Sequence, residues 1–224
     1  MKQLALELAA PPVPTLDNFV VGDNAELVAA LRALAGGGQS ERFIYLWGGS
    51  GSGRSHLLRA MQQALRGAGR SARLFEGSAE GVQADDACIA DDVQRLDGPA
   101  QIALFNVCNI LREGSGVLVA AGDLPPARLP LRSDLLTRLA WGLVYEVRAL
   151  SEEDRRAALR DYAAARGFIL PRDVEEYLLA RAPRDLSSLR ALVDTLDRLS
   201  LEQKRAITVP LARALLQPVP PKQS

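Results

Sequence analysis

The stretch Gly48-Gly49-Ser50-Gly51-Ser52-Gly53-Arg54-Ser55 constrains this chain more than any other. Before it stands a short apolar run, Phe43-Ile44-Tyr45-Leu46-Trp47, and after it an apolar-periodic segment from Arg54 to Arg66. A continuous apolar run of that length suits a strand buried on both faces. A glycine-rich turn between such a strand and a helix lets backbone N–H groups converge on an anion, and the helix N-terminus adds its own partial positive charge. A flexible Gly/Ser linker would not be expected to pass straight from a buried strand into an amphipathic helix. The loop and the single histidine beyond it, His56, are therefore expected to hold phosphate, with the Ser55 hydroxyl placed for a magnesium ion.

The loop fits G-x-x-x-x-G-K-[S/T] except at Arg54, where lysine is expected. Lysine offers a compact point charge; arginine is longer, planar and forked, so the exchange is not conservative. Arg54 can neutralise a diphosphate but should fit poorly around a transferring γ-phosphoryl group. The site is thus expected to bind nucleotide, the diphosphate favoured, and to turn over ATP slowly or not at all. Further along, Ala87 to Ala90 is an apolar run ending in Asp91-Asp92. An acid at such a strand end can hold magnesium, which is the role expected of Asp91, and a second acid beside it can orient water, which leaves Asp92 either a water-orienting residue or a capped helix start.

The rest of the pattern alternates. A helix is expected from Asp23 to Ala35, ended by Gly36-Gly37-Gly38, and strands at 72–75, 87–90, 116–121 and 142–147, with helices at 100–112 and 131–139 between them. Strand–helix alternation predicts an α/β fold with a parallel sheet covered by helices on both faces. After Leu150 the strand pattern stops, and Ser151-Glu152-Glu153 opens a helix with a capping signal. The expected organisation is a tail and proline linker over 1–18, an α/β domain over 19–150, an all-helical lid over 151–217 and a loose end over 218–224. No internal repeat is found.

Composition narrows the class. Lys plus Arg and Asp plus Glu are each 27, giving zero formal net charge, which argues against a protein whose main task is gripping nucleic acid phosphates. No apolar stretch is long enough to span a membrane, and MKQLALELAAPP lacks the apolar run of a signal peptide, so a cytoplasmic location is expected. Cys88 and Cys108 lie in apolar runs and read as buried, reduced thiols rather than a zinc site. One histidine excludes mechanisms built on histidine pairs.

Several stretches together resemble the AAA+ ATPases, and within them the bacterial replication initiator DnaA and its short regulatory paralogues. They are FVVGDNAEL (19–27), the glycine loop with RSHLL (54–58), IADDV (89–93), VAAGDLPP (119–126), LLTRLAWGLVYEV (135–147) and RDLSSLRALVDTLDR (184–198). They run in order over about 20 to 217, and TRLAWG and RSHLL are the specific ones. The sequence given ends at Ser224 without the helix-turn-helix domain that follows in the initiator, which turns the expectation toward the paralogue. The resemblance implies an adenine nucleotide, ADP favoured, with Mg2+. It implies that Val20 and Val21 pack against adenine, that Asp123 is the first sensor residue, that Arg184 is the second sensor in the lid, and that Arg138 is an arginine finger acting on ATP held by a partner. Read from spacing alone, Arg138 is a solvated arginine beside an apolar stripe, Asp123 a loop cap and Arg184 a surface residue.

Gln3-Leu4-Ala5-Leu6-Glu7-Leu8 resembles the short motif by which proteins bind the DNA sliding clamp. In an extended peptide Leu4, Leu6 and Leu8 share one face suited to an apolar pocket, with Gln3 ahead of them. Glu7 departs from the proline common at that place. The expected function is regulation of replication initiation: tethered to the clamp, the chain would promote hydrolysis of initiator-bound ATP, contacting DNA only indirectly. Self-association is left open. The alternatives are a conventional phosphate-loop ATPase or kinase, against which Arg54 counts, and a DNA-associated adaptor or helicase loader, against which the charge balance counts.

Overall fold

The computed structural model describes residues 13–216 except Gln39 and Arg184. The clamp-motif residues Gln3, Leu4, Leu6 and Leu8, and the proposed sensor Arg184, lie outside the described residues. The chain divides between Ala149 and Leu150 into two compact units.

In the first unit, α1 (Ala25–Ala35) is followed by β1 (Phe43–Trp47), α2 (Arg54–Gly67), β2 (Ala72–Leu74), β3 (Ala87–Ala90), α3 (Gly98–Glu113), β4 (Val117–Gly122), α4 (Ser133–Leu139) and β5 (Leu143–Glu146). All strand pairs are parallel, in the order β2-β3-β4-β1-β5. β1 therefore lies between strands that follow it by a long stretch of chain: Phe43 pairs with Leu118 and Ile44 with Leu143.

Successive strand residues face opposite sides, and this divides the core in two. Ile44 and Leu46 join Leu27, Leu31, Leu57 and Met61 of α1 and α2. Phe43 and Tyr45 join Leu104, Cys108, Leu111, Leu135 and Leu139 of α3 and α4. The parallel sheet with helices on both faces is thus as the sequence predicts, and both thiols are free and buried. Burial pushes each of them up to about 12. Full burial of a leucine such as Leu57 contributes about 1.5–3 kcal/mol.

Two edges differ from expectation. α1 begins two residues after Asp23 because Asn24 is committed elsewhere: its backbone N–H and its Nδ2 both donate to the Val21 carbonyl, at 2.9 and 3.0 Å. The packed body also begins before residue 19. Leu16 is only 8% exposed and lies in the core, and Thr15 and Asn18 exchange backbone-to-side-chain bonds of 2.9 and 3.1 Å that close a turn.

The second unit is helical: α5 (Glu152–Ala165), α6 (Arg172–Arg181), α7 (Leu186–Gln203) and α8 (Val209–Leu216). The Ser151 signal is a capping box, with Asp154 N–H donating to Ser151 Oγ at 3.0 Å and Ser151 N–H donating back to Asp154 Oδ2 at 3.3 Å. Leu159, Val174, Leu178, Leu189, Val193, Leu196 and Ala212 form its core. Charge is buried beside them. Glu175 is fully buried between Arg156 Nη1, 3.1 Å from Oε1, and Arg160 Nε, 2.7 Å from Oε2. A carboxylate so placed is tolerable only because it is paired. No helix of the described residues is long and apolar enough to cross a membrane.

Candidate nucleotide site and arginine cradle

The glycine loop leaves β1 at Gly48 and enters α2 through Gly53. Gly48 lies against the strand beside it: a Cβ there would stand 2.5 Å from the Val147 carbonyl. Gly53 has φ +102°, and a Cβ on it would meet the Phe19 ring at 2.8 Å. Both glycines are required by their surroundings. Between them Gly49, Ser50 and Gly51 are exposed, while Ser52 is buried and its N–H donates to the Gly49 carbonyl at 3.2 Å. The first amides of α2 have no acceptor within the helix.

Two buried polar atoms here have no hydrogen-bond partner, Ser52 Oγ and Arg54 Nη1. Such atoms are costly to leave unmade. A phosphate brings acceptor oxygens and negative charge to an orphan guanidinium N–H and a serine hydroxyl, so the residues present fit a phosphorylated ligand. The Arg54 side chain is only 11% exposed, and its Nη2 lies 3.9 Å from Asp92 Oδ1. Asp92 is itself unusual: it adopts the left-handed conformation at φ 46°, accepts from Gln94 Nε2 at 3.1 Å and lies 3.8 Å from Arg95 Nη1. Asp91 Oδ1 accepts from the Asp92 N–H at 2.9 Å. Asp92 is thus a hub for Arg54, Gln94 and Arg95, an arrangement the sequence leaves unspecified.

Asp123 follows β4 and is exposed. It and Arg54 act on Tyr45 with opposite sign: burial pushes the Tyr45 hydroxyl up, Arg54 draws it down and Asp123 raises it. Arg54 and Asp123 are thus both within electrostatic reach of this hydroxyl, which donates to the Leu124 carbonyl at 2.9 Å. Val20 and Val21 are half-buried, and Asn24 fixes that segment to the end of β5: its Nδ2 donates to the Arg148 carbonyl at 2.9 Å and its Oδ1 accepts from the Arg148 N–H at 2.8 Å. His56 Nε2 lies 3.0 Å from the Thr15 carbonyl, and its ring is 5.5 Å from that of Phe19. His56 therefore ties the Thr15–Phe19 segment to α2. Phe19 was legible only as the first letter of FVVGDNAEL; its contact with the loop had no separate signal.

Ser55 is exposed in the first turn of α2, and Asp91 is exposed at the end of β3. Among the described residues no three His, Cys, Asp or Glu side chains group as a metal cage. A magnesium ion held by Ser55 and Asp91 would complete its shell with phosphate oxygens and water, as this ion usually does.

Arg138 lies in α4. Its guanidinium carbon is 4.1 Å from the Trp141 ring centroid and 4.9 Å from that of Phe105, and its Nε donates to Asn109 Oδ1 at 3.0 Å. Spacing alone suggested a solvated arginine; the structure places it half-buried in a cradle of aromatic rings. Asn109 and Phe105 were not singled out, since nothing local links α3 to a residue that far along the chain. Trp141 sat inside the TRLAWG stretch.

Residues 152–216 match the family of the Hda lid domain. Domain III of the replication initiation protein DnaA from Thermotoga maritima is similar over 92% of this chain and 98% of its own, with 24% identity and a TM-score of 0.76. This chain shares the fold of DnaA domain III, and its residues 152–216 are similar to the Hda lid domain. The AMPPCP-bound DnaA from Aquifex aeolicus is also similar, with 22% identity and a TM-score of 0.66 over 88% of this chain and 71% of that one. So is a mutant RuvB from Thermotoga maritima, with 17% identity and a TM-score of 0.66 over 91% and 72%. Within the α/β unit, the loop region is built on β1 and α2 and the Arg138 cradle on α3 and α4.

Proposed function

We propose that this chain regulates the initiation of DNA replication by stimulating hydrolysis of ATP bound to the initiator DnaA. In this reading an adenine nucleotide, ADP favoured, binds at Gly48 to Ser55 and His56, with Val20 and Val21 against the base and Asp92, Asp123 and Arg184 around the phosphates. Mg2+ at Ser55 and Asp91 neutralises phosphate charge when bound. Arg54 holds the diphosphate through Nη1, which otherwise has no acceptor, and its attachment to Asp92 takes up the acid that could orient an attacking water. Gln3, Leu4, Leu6 and Leu8 dock on the sliding clamp and bring the chain to the initiator on DNA.

The observation that carries the reading is the Arg138 cradle. A guanidinium supplied in trans stabilises charge that develops during phosphoryl transfer. Arg138 is fixed by two rings and an amide, all contributed by α3 and the α4 end rather than by the glycine loop. The Hda-type lid supports the same assignment. The test is single-turnover hydrolysis of ATP prebound to DnaA, with and without this chain and with the clamp loaded on DNA. Stimulation that needs chain and clamp and disappears with Arg138→Ala is the expected result. Initiator ATP that stays intact, while the chain alone turns over nucleotide, would replace this reading with that of an ordinary phosphate-loop ATPase.

A further inference from the structure

Two guanidiniums share one ring on the α3–α4 face. Arg138 lies 4.1 Å from the Trp141 centroid and Arg112 lies 4.4 Å from it. Trp141 is itself fixed, because its ring meets that of Phe43 nearly edge-on, at 5.9 Å and 75°, and Phe43 is buried in β1. Among the described residues neither Arg112 nor Arg138 forms an ion pair with a carboxylate. Elsewhere arginines are repeatedly neutralised: Arg156 and Arg160 by Glu175, Arg166 by Asp194, Arg132 by Asp134. Arg42 and Arg66 also lack a carboxylate partner but are held by backbone carbonyls, whereas Arg112 and Arg138 meet on one aromatic ring.

The chemistry of the stack says what it can hold. An aromatic face attracts a guanidinium through the cation and leaves its in-plane N–H donors free at the edge. Asn109 takes one of Arg138's donors, at Nε, so the terminal nitrogens remain available. Two like charges near one ring repel each other, and an anion with several oxygens relieves that repulsion. Asn109 and Phe105 hold Arg138 from α3; Trp141 is the group that touches both cations.

Building on the proposed function, we propose that Trp141 is a positioning residue. It sets Arg138 and Arg112 as a two-cation receptor for the triphosphate of a nucleotide bound to the partner. Arg138 meets the reacting phosphate, and Arg112 receives charge beside it.

The experiment has two arms, so that failure of this proposal is separable from failure of the proposed function. In the first, initiator-bound ATP hydrolysis is measured against rising concentrations of the full chain with loaded clamp. Trp141→Leu keeps an apolar side chain but removes the π face. It should lower the maximal rate roughly 2- to 30-fold, the range of a lost cation–π contact, while the half-saturating concentration stays within about twofold. Trp141→Phe should restore most of the rate, and Arg112→Ala should lower the maximal rate severalfold. Full activity of Trp141→Leu, or a change confined to half-saturation, overturns the proposal. The second arm needs no partner and is read in a Trp47→Phe background, which leaves Trp141 as the sole tryptophan. Iodide, attracted by cations, should quench Trp141 more strongly than neutral acrylamide does, and Arg112→Ala or Arg138→Ala should each reduce that excess. No excess, or no reduction, overturns the stack even if hydrolysis is stimulated. If the wild-type chain stimulates nothing while this arm behaves as expected, the proposed function has failed and the cationic plate stands.

Discussion

The glycine loop and the α3–α4 cradle each centre on an arginine, and the two arginines are held in opposite ways. Arg54 is nearly enclosed, with one terminal nitrogen lacking any partner and the other 3.9 Å from Asp92. Arg138 is half-buried, stacked on Trp141 and Phe105 and bonded to Asn109. The first keeps one buried nitrogen with no acceptor, which suits capture of an anion in this chain. The second has its face satisfied by rings and its edge left open, which suits delivery to something outside. Under the proposed function, one residue type is a receptor in one place and a donor in the other, and the surroundings decide which.

Removing Arg138 should break the comparison most completely. Arg138→Ala is expected to reduce stimulated hydrolysis by about 10³-fold or more, the order a trans arginine supplies, while ADP binding to this chain measured by calorimetry stays unchanged. Arg54→Ala should do the reverse. Loss of charge-assisted bonds to phosphate should weaken ADP binding about 10- to 100-fold, and circular dichroism should show the fold intact. Arg54→Lys sharpens the point: if the arginine is what suppresses turnover, the lysine variant should hydrolyse ATP measurably faster than wild type. Gly48→Ala comes next. Its Cβ must displace the Val147 carbonyl or Ser52, so stability should fall by about 1–3 kcal/mol in urea titration, and the cradle's iodide signature should be untouched.

The smallest expected effect concerns the thiols behind the cradle. Burial raises Cys88 and Cys108 from 9.0 to about 12. In the unfolded chain they ionise as pH passes 9.0, whereas in the folded chain they keep their protons to about 12. The stability they carry is therefore full below pH 9.0 and is lost as pH rises through about 12. The urea midpoint should fall over that window, and more shallowly in Cys108→Ala. Iodoacetamide should label neither thiol in the folded chain at neutral pH; prompt labelling would contradict the burial of that core.

Much of this was legible in the chain, for a physical reason. β1 and β3 occupy the residues their apolar runs mark, Phe43–Trp47 and Ala87–Ala90, because a strand buried on both faces must be apolar throughout. The start of α5 followed from Ser151, whose capping box is a local bond. Strand order was not legible, since nothing in Phe43–Trp47 specifies Leu118 on one side and Leu143 on the other. The site divides the same way. The loop declares itself by its glycines. The tie from Arg54 to Asp92, the left-handed turn at Asp92 and the Asn109 bond to Arg138 arise only when distant segments meet.

The position of β1 has a consequence for how the molecule is made. Its neighbours in the sheet are β4 and β5, not β2, so a growing chain emerging from the ribosome exposes Phe43-Ile44-Tyr45-Leu46-Trp47 without a strand on either side until Val117 has followed. Leu143 must then arrive to cover the second edge. Pairings so distant in sequence delay closure and leave apolar surface open meanwhile. The central strand, first of the sheet to be synthesised, is completed by the last, and the glycine loop attached to it cannot be framed by Val147 before then.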